Sequence, residues 1–167
     1  MAEEAFVGIA EEAFVGIAEE AFVGIAEDIA RRAHAGQVDK AGLDYITHPA
    51  RVAAGVRLHG GTNEAVAAAW LHDVLEDCDV SAAQLAEAGI PDTVIEAVRA
   101  VTKTKGERLE DYCGRIRANP TALRVKRADI EDNTDPARTA ALPGQTRLRL
   151  AAKYARVPSL LGFPPQA

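Results

Sequence analysis

Trp70-Leu71-His72-Asp73-Val74-Leu75-Glu76-Asp77 is the stretch from which the fold of this chain can be read. It follows Ala65-Val66-Ala67-Ala68-Ala69, a run so apolar that a helix carrying it is expected to be buried all round. His72, Asp73, Glu76 and Asp77 arrive together at its end. On a continuous helix, residues four apart stack on one face. His72 is then expected over Glu76 and Asp73 over Asp77, with the pairs about 100° apart. Three carboxylates and an imidazole at the end of a buried helix repel one another and lose hydration, which is costly without a cation among them. The stretch therefore points to a metal ion.

Further donors are sought on the flanking segments. His48-Pro49 reads as the entry to a helix over Ala50–Leu58, Pro49 sitting in the first turn and Gly60-Gly61 closing it. A lone histidine there is usually structural, but a metal at 72–77 needs more ligands, and that reverses the expectation. Downstream, Ser81-Ala82-Ala83-Gln84 is a capping box for a helix stopping at Gly89. Pro91-Asp92 opens another that runs to about Val101. Leu109–Arg117 is helical and stops at Asn119-Pro120. The helix Thr121–Asn133 places Asp129 and Asn133 four apart on one face, with Val125 one turn earlier. By itself Asp129 reads as a surface acid. Lys103, Lys105 and Arg108 around Gly106 read as solvated charges; beside an acidic metal site they also suit an anionic substrate. Thr146–Val157 is a last amphipathic helix, and the tail Phe163–Ala167 is expected to fray.

Upstream, Ile25, Ile29 and Ala33 share a helical face, and Gly36 caps that helix. Before it, Glu3–Ala10, Glu11–Ala18 and Glu19–Ala26 are identical copies of Glu-Glu-Ala-Phe-Val-Gly-Ile-Ala. Each copy would rotate its apolar side by roughly 80° relative to the last, so no constant stripe forms. The triplication is read as a tandem duplication of the start of the first helix, with only the last copy expected against the core. Residues 1–25 are accordingly an extension, 26–157 the folded domain and 158–167 a tail.

The 167 residues, 48% hydrophobic and 26% charged, suit one globular domain. Two cysteines, Cys78 and Cys113, make no disulfide framework and fit a reducing compartment. A formal charge of -6 argues against nonspecific binding to nucleic acid or anionic membrane. No apolar run approaches the roughly 18 residues of a membrane span. The acidic start Met1-Ala2-Glu3-Glu4 is unlike a secretory signal, and the expected location is the cytoplasm.

His48, then His72-Asp73, then Asp129 resembles the His…His-Asp…Asp signature of HD-domain metal-dependent phosphohydrolases. The closer resemblance is to the guanosine polyphosphate (ppGpp) hydrolase domains of the RelA/SpoT type and the stand-alone small alarmone hydrolases. It is carried by Ala33-His34-x-Gly36-Gln37, Tyr45-Ile46-x-His48-Pro49, Leu71-His72-Asp73-x-x-Glu76-Asp77, Val101-Thr102-Lys103 and Lys126-x-Ala128-Asp129-x-x-x-Asn133. The ordered set is specific where any single motif is not.

The resemblance implies an all-α bundle of about seven or eight helices. It makes His48, His72, Asp73 and Asp129 ligands of one divalent ion, usually Mn²⁺, and gives Glu76 and Asp77 the hydrolytic role. Two imidazoles and two carboxylates leave open positions on a six-coordinate ion, in accord with that choice. The implied reaction is hydrolysis of the 3′-diphosphate of ppGpp by metal-activated water, releasing pyrophosphate and GDP. Asn133 and Lys40 match substrate contacts of the family, with Lys105 and Arg147 as further candidates for phosphate. Asp39 departs from the pattern, because the family usually has Arg there, helping to hold guanine; Glu131-Asp132 departs as well. Another nucleotide, such as a phosphorylated dinucleotide, is thus a second substrate reading. A nucleotide-binding module without turnover is a third, against which the intact Glu76 and Asp77 count.

Overall fold

The computed structural model describes residues 20–164. Its axis is α3 (Asn63–Leu71), opened by Thr62, whose side chain accepts a hydrogen bond from the Ala65 backbone N–H. Every residue from Ala65 to Leu71 is buried, as a helix without a polar face requires. Around it stand α1 (residues 20–33), α2 (Thr47–Leu58), α6 (Asp92–Val101) and α8 (Pro120–Thr134). α3 packs on α2, α6 and α8, and α2 also packs on α8. The last contact is close because it is made by small residues. A Cβ at Gly55 would stand 3.5 Å from the Ala128 Cβ. This approach sets the first turn of α2, with His48, beside the middle of α8, with Asp129.

The remaining elements are α4 (Val74–Asp77), α5 (Ala82–Glu87), α7 (Leu109–Arg117), α9 (Pro136–Thr139), α10 (Gly144–Tyr154) and α11 (Val157–Leu160). The Ser81–Gln84 capping box opens α5, and Asn119 caps α8 by accepting from the Ala122 N–H. Among the described residues the only strand-like pairing is an isolated bridge between Val38 and Asp44. The fold is all-α, as expected. At the turn after α2, Gly61 is required by space: an added Cβ would lie 2.4 Å from Val56 Cγ1.

The largest departure from expectation lies in the deciding stretch. The helix does not run on through Glu76. It stops at Leu71, turns through His72 and Asp73, and restarts as the single turn α4. Asp73 has φ -104° and ψ -4° and takes the N-terminal cap of α4. The stacking of His72 over Glu76 and Asp73 over Asp77 is therefore replaced. On a straight helix the neighbours His72 and Asp73 would splay by about 100°; the break lets both face one point.

Phe22, Val23 and Ala26 of the third octapeptide are buried in the core, while the first two copies lie outside the described residues. At the other end Leu161 is buried. Phe163 packs against the core, with the Arg127 guanidinium 5.4 Å over its ring, rather than fraying. No helix among the described residues is long and apolar enough to cross a membrane.

Candidate metal centre and nucleotide pocket

His48, His72 and Asp129 are polar side chains inside an otherwise apolar core, and Asp73 stands beside them. His48 Nε2 is 3.2 Å from His72 Nε2, 3.2 Å from Asp129 Oδ1 and 3.7 Å from Asp73 Oδ2. His72 Nε2 is 3.0 Å from Asp73 Oδ2 and 3.8 Å from Asp129 Oδ1. The donor atoms of His48, His72 and Asp73 all lie within 4.8 Å of one another. Donors from three separate segments, the start of α2, the turn between α3 and α4, and the middle of α8, thus converge on one point.

Each donor is aimed by a partner behind it. His72 Nδ1 donates to the Ala69 carbonyl at 2.6 Å, which places its proton on that nitrogen and turns the Nε2 lone pair inward. His48 Nδ1 does the same toward Asp132 Oδ2 at 2.7 Å. Asp132 is held in turn by Arg51 Nε at 2.7 Å and by Arg138 Nη1. The Tyr45 hydroxyl donates to Asp73 Oδ2 at 2.5 Å. Asp129 accepts from Lys126 Nζ and from Asn133 Nδ2, both at 2.6 Å.

Electrostatics follow from this packing. Burial opposes charge on His72, but the Asp73 carboxylate outweighs it and pushes the imidazole up to about 9. Burial opposes charge on Asp129 too, yet Lys126 and the two histidines hold it well below the usual carboxylate range. Asp73 is likewise held low against its burial, chiefly by His72. The centre therefore holds two firmly anionic carboxylates facing two imidazoles, a set from which a divalent ion displaces the imidazolium proton. The donor chemistry fits such an ion with positions left open. A thiolate zinc site does not fit: Cys78 Sγ lies against His34 Nδ1 at 3.4 Å and Cys113 is buried on α7.

These donors sit on the wall of a cavity of about 830 Å³. Glu76 and Asp77 line it from α4. Glu76 Oε2 accepts from the Lys103 backbone N–H at 2.9 Å, so the segment after α6 fixes that carboxylate. Arg115 holds the same segment through the carbonyls of Ala100 and Thr102, at 3.1 Å each. Asp77 is pushed upward by burial and then by the charges of Asp73 and Glu76.

Lys40 and Asn133 also line the cavity, but Lys105 and Arg147 do not. Lys105 is exposed on the turn before α7, and exposed Arg147 donates to the carbonyls of Ala140 and Leu142. The cations that do line it include Lys103, from the basic cluster around Gly106, and Lys126, Arg138 and Lys153, which sequence reasoning did not single out as site residues. Lys126 carried a signal, since it lies i,i+3 from Asp129. Arg138 and Lys153 carried none, because tertiary folding alone brings them in.

The sequence matches the HD domain over residues 26–138. The chain belongs to the HD-domain family. The chain is 37% identical over 131 residues to the guanosine-3′,5′-bis(diphosphate) 3′-pyrophosphohydrolase of Haemophilus influenzae, covering 74% of this chain and 19% of that protein. The Vibrio cholerae protein of the same name is 35% identical over 151 residues, with 81% and 21% covered. The chain thus spans about a fifth of the length of these curated relatives. A solved structure of a metazoan ortholog of SpoT that hydrolyses ppGpp shares the fold, with a TM-score of 0.70 at 24% identity, covering 84% of this chain and 85% of that one. An HD domain implies a divalent metal, and the His48–His72–Asp73 cluster is where this one can hold it.

Proposed function

We propose that this chain is a manganese-dependent hydrolase of guanosine 3′,5′-bis(diphosphate), cleaving its 3′-diphosphate to release pyrophosphate and GDP. The observation that carries the reading is the convergence of two imidazoles and two carboxylates on a cavity wall that also bears Glu76, Asp77 and lysines. The named activity of the two bacterial relatives supports the choice of substrate. The cytoplasm, where the free thiols Cys78 and Cys113 stay reduced, is the compartment that suits it.

His48, His72, Asp73 and Asp129 would hold the ion. When bound, it supplies Lewis-acid polarisation of a phosphoryl oxygen and lowers the pKa of water. The chain's own groups do the rest. Glu76, fixed by the Lys103 N–H, orients the attacking water. Asp77, its carboxyl pushed upward by burial and by the charges of Asp73 and Glu76, would take the proton that this water loses. Oxygen of that water joins phosphorus, the bond from phosphorus to the 3′-oxygen breaks, the proton passes from Asp77 to the 3′-oxygen, directly or through solvent, and pyrophosphate and GDP depart. Lys126, Lys153, Lys40 and Asn133 all line the cavity; in this reading the lysines would meet the phosphates and Asn133 the ribose. Within this reading the catalytic unit is residues 26–157.

Incubation of the manganese-loaded protein with ppGpp, followed by pyrophosphate detection, tests the proposal. Glu76→Gln should keep the ion and lose about 10²–10⁴ in kcat. Asp39, standing where related hydrolases carry a guanine-holding Arg, favours a second reading in which another nucleotide is the substrate. Turnover of a different nucleotide with no pyrophosphate from ppGpp would decide for it. Binding without any turnover would mean a nucleotide-binding module.

A further inference from the structure

The cavity wall also carries a second polar pair, Asp39 and Arg138, the latter joined to the His48 side only through Asp132. Arg138 Nη1 is committed to Asp132, donating to its carbonyl at 2.7 Å and to its carboxylate. Arg138 Nη2 only approaches Asp39 Oδ2, at 3.7 Å, which is too long for a hydrogen bond. Among the described residues, Nη2 and Nε of Arg138 make no hydrogen bond. Asp39 is divided in the same way. Its Oδ1 caps the loop by accepting from the N–H groups of Ala41 at 2.8 Å and Leu43 at 3.0 Å, while Oδ2 is left toward Arg138. Both side chains are largely buried, at 28% and 11% exposure for Arg138 and Asp39. Val38 and Leu43, on the loop that carries Asp39, and Leu142, after α9, also line the cavity.

A cavity edge that offers spare N–H donors and, beside them, one carboxylate oxygen has a definite complement. The Hoogsteen and Watson–Crick edges of guanine present N7 and O6 as acceptors, then N1–H as a donor. Arg donating to N7 and O6 is the commonest specific contact to that base. Adenine presents N7, then an amino donor, then an acceptor at N1, and so opposes this edge at two of three positions.

We infer that Arg138 and Asp39 together are the base-reading edge of the cavity and select a 6-oxopurine. Arg138 donates from α9 to N7 and O6, and Asp39 Oδ2 accepts from N1–H. The guanidinium comes from α9 and stands beside the loop that carries Asp39, so Asp39 completes guanine recognition instead of abolishing it. This deepens the nucleotide-hydrolase reading above and rests on it.

Calorimetric titration of the metal-free protein with GDP and with ADP separates base reading from catalysis. The unmodified protein should bind GDP at least about tenfold more tightly than ADP. Arg138→Lys keeps a positive charge beside Asp132 but loses the planar fork, and should bring the two affinities within about twofold. Its manganese content should stay unchanged, which a merely structural role for Arg138 would not predict. Asp39→Asn keeps the Oδ1 acceptor for the loop and turns Oδ2 into a donor, so the preference should move toward ADP. Equal binding of GDP and ADP by the unmodified protein would overturn the inference. So would a GDP preference surviving in a folded Arg138→Lys variant. Either result would leave pyrophosphate release from ppGpp to decide the hydrolase reading separately.

Discussion

The two ends of the cavity are built by different means. At the metal end, His48, His72 and Asp129 come from α2, the end of α3 and α8, with side chains only 4–6% exposed. Each is aimed by a second residue, and the helices carrying them pack on one another. At the base end, Asp39 lies on the loop between α1 and α2, and Arg138 on the single turn α9. The contrast teaches where this molecule tolerates change. A donor in the core is constrained by packing and by its aiming partner together, whereas a loop residue is constrained by what it recognises. The departure at Asp39 lies at the second kind of position, which is why the metal set stands intact beside it.

The contrast breaks most sharply at His72. His72→Ala removes a donor that no neighbour can replace and leaves Asp73 and Asp129 facing each other across the gap. Manganese affinity should fall by more than about a hundredfold, since even outer partners of metal ligands cost about 10–100-fold. Metal content after dialysis measures it, and full retention would remove His72 from the ligand set.

Acidity should act on the metal end alone. The His72 imidazole is raised from 6.5 to about 9 in the folded apoprotein, against its burial, by the Asp73 carboxylate. Its contribution to apoprotein stability is therefore complete below pH 6.5 and disappears as pH rises through about 9. Metal binding runs the other way, because the ion needs the free imidazole. Each imidazole proton displaced makes the manganese affinity rise by about tenfold per pH unit below its raised pKa, His48 being shifted upward as well as His72. Titrations at several pH values, with the protons released counted in buffers of different ionisation heat, test the sign. GDP binding without metal should hardly move over the same range.

A smaller loss is expected at Asp132, which touches both ends of the cavity. Its carboxylate accepts from His48 Nδ1 and from Arg51 and Arg138, and is held low by the first of these against burial. Asp132→Asn keeps the shape but weakens the hold on His48. Manganese affinity should fall by about 10–100-fold with the fold intact. A drop in GDP affinity should accompany it, since Arg138 loses its anchor. Loss of metal affinity alone would mean the two ends are independent.

Much of the metal end was legible because helical periodicity reports it. The apolar run before His72 announces a buried helix, and the four-residue spacing of Asp129 and Asn133 announces a shared face, now seen as a 2.6 Å hydrogen bond. The break at His72–Asp73 was not legible. No glycine or proline marks it, and the contacts that accompany it come from Tyr45 and Lys103, far along the chain. Nor could spacing reveal the pairing of His48 with Asp132, which are 84 residues apart. At the base end nothing periodic exists to read: Asp39 looks like a lost arginine until α9 delivers Arg138 beside it.

The least expected change sits outside both ends. Lys105 and Arg147 carry charge that a sequence reading assigns to phosphate, but one is an exposed turn residue and the other is spent on the carbonyls after α9. Lys40 lines the cavity, so the three form a graded set. Exposed cations outside a site act only through screened, long-range attraction. Lys105→Ala and Arg147→Ala should therefore change KM for ppGpp by less than about twofold, and raising the salt should erase even that difference. Lys40→Ala should raise KM by about tenfold at any ionic strength, the worth of one charge-assisted hydrogen bond. A tenfold KM effect in the Lys105 variant at high salt would show that the turn before α7 closes onto the substrate, and would extend the cavity's phosphate-facing wall to that turn.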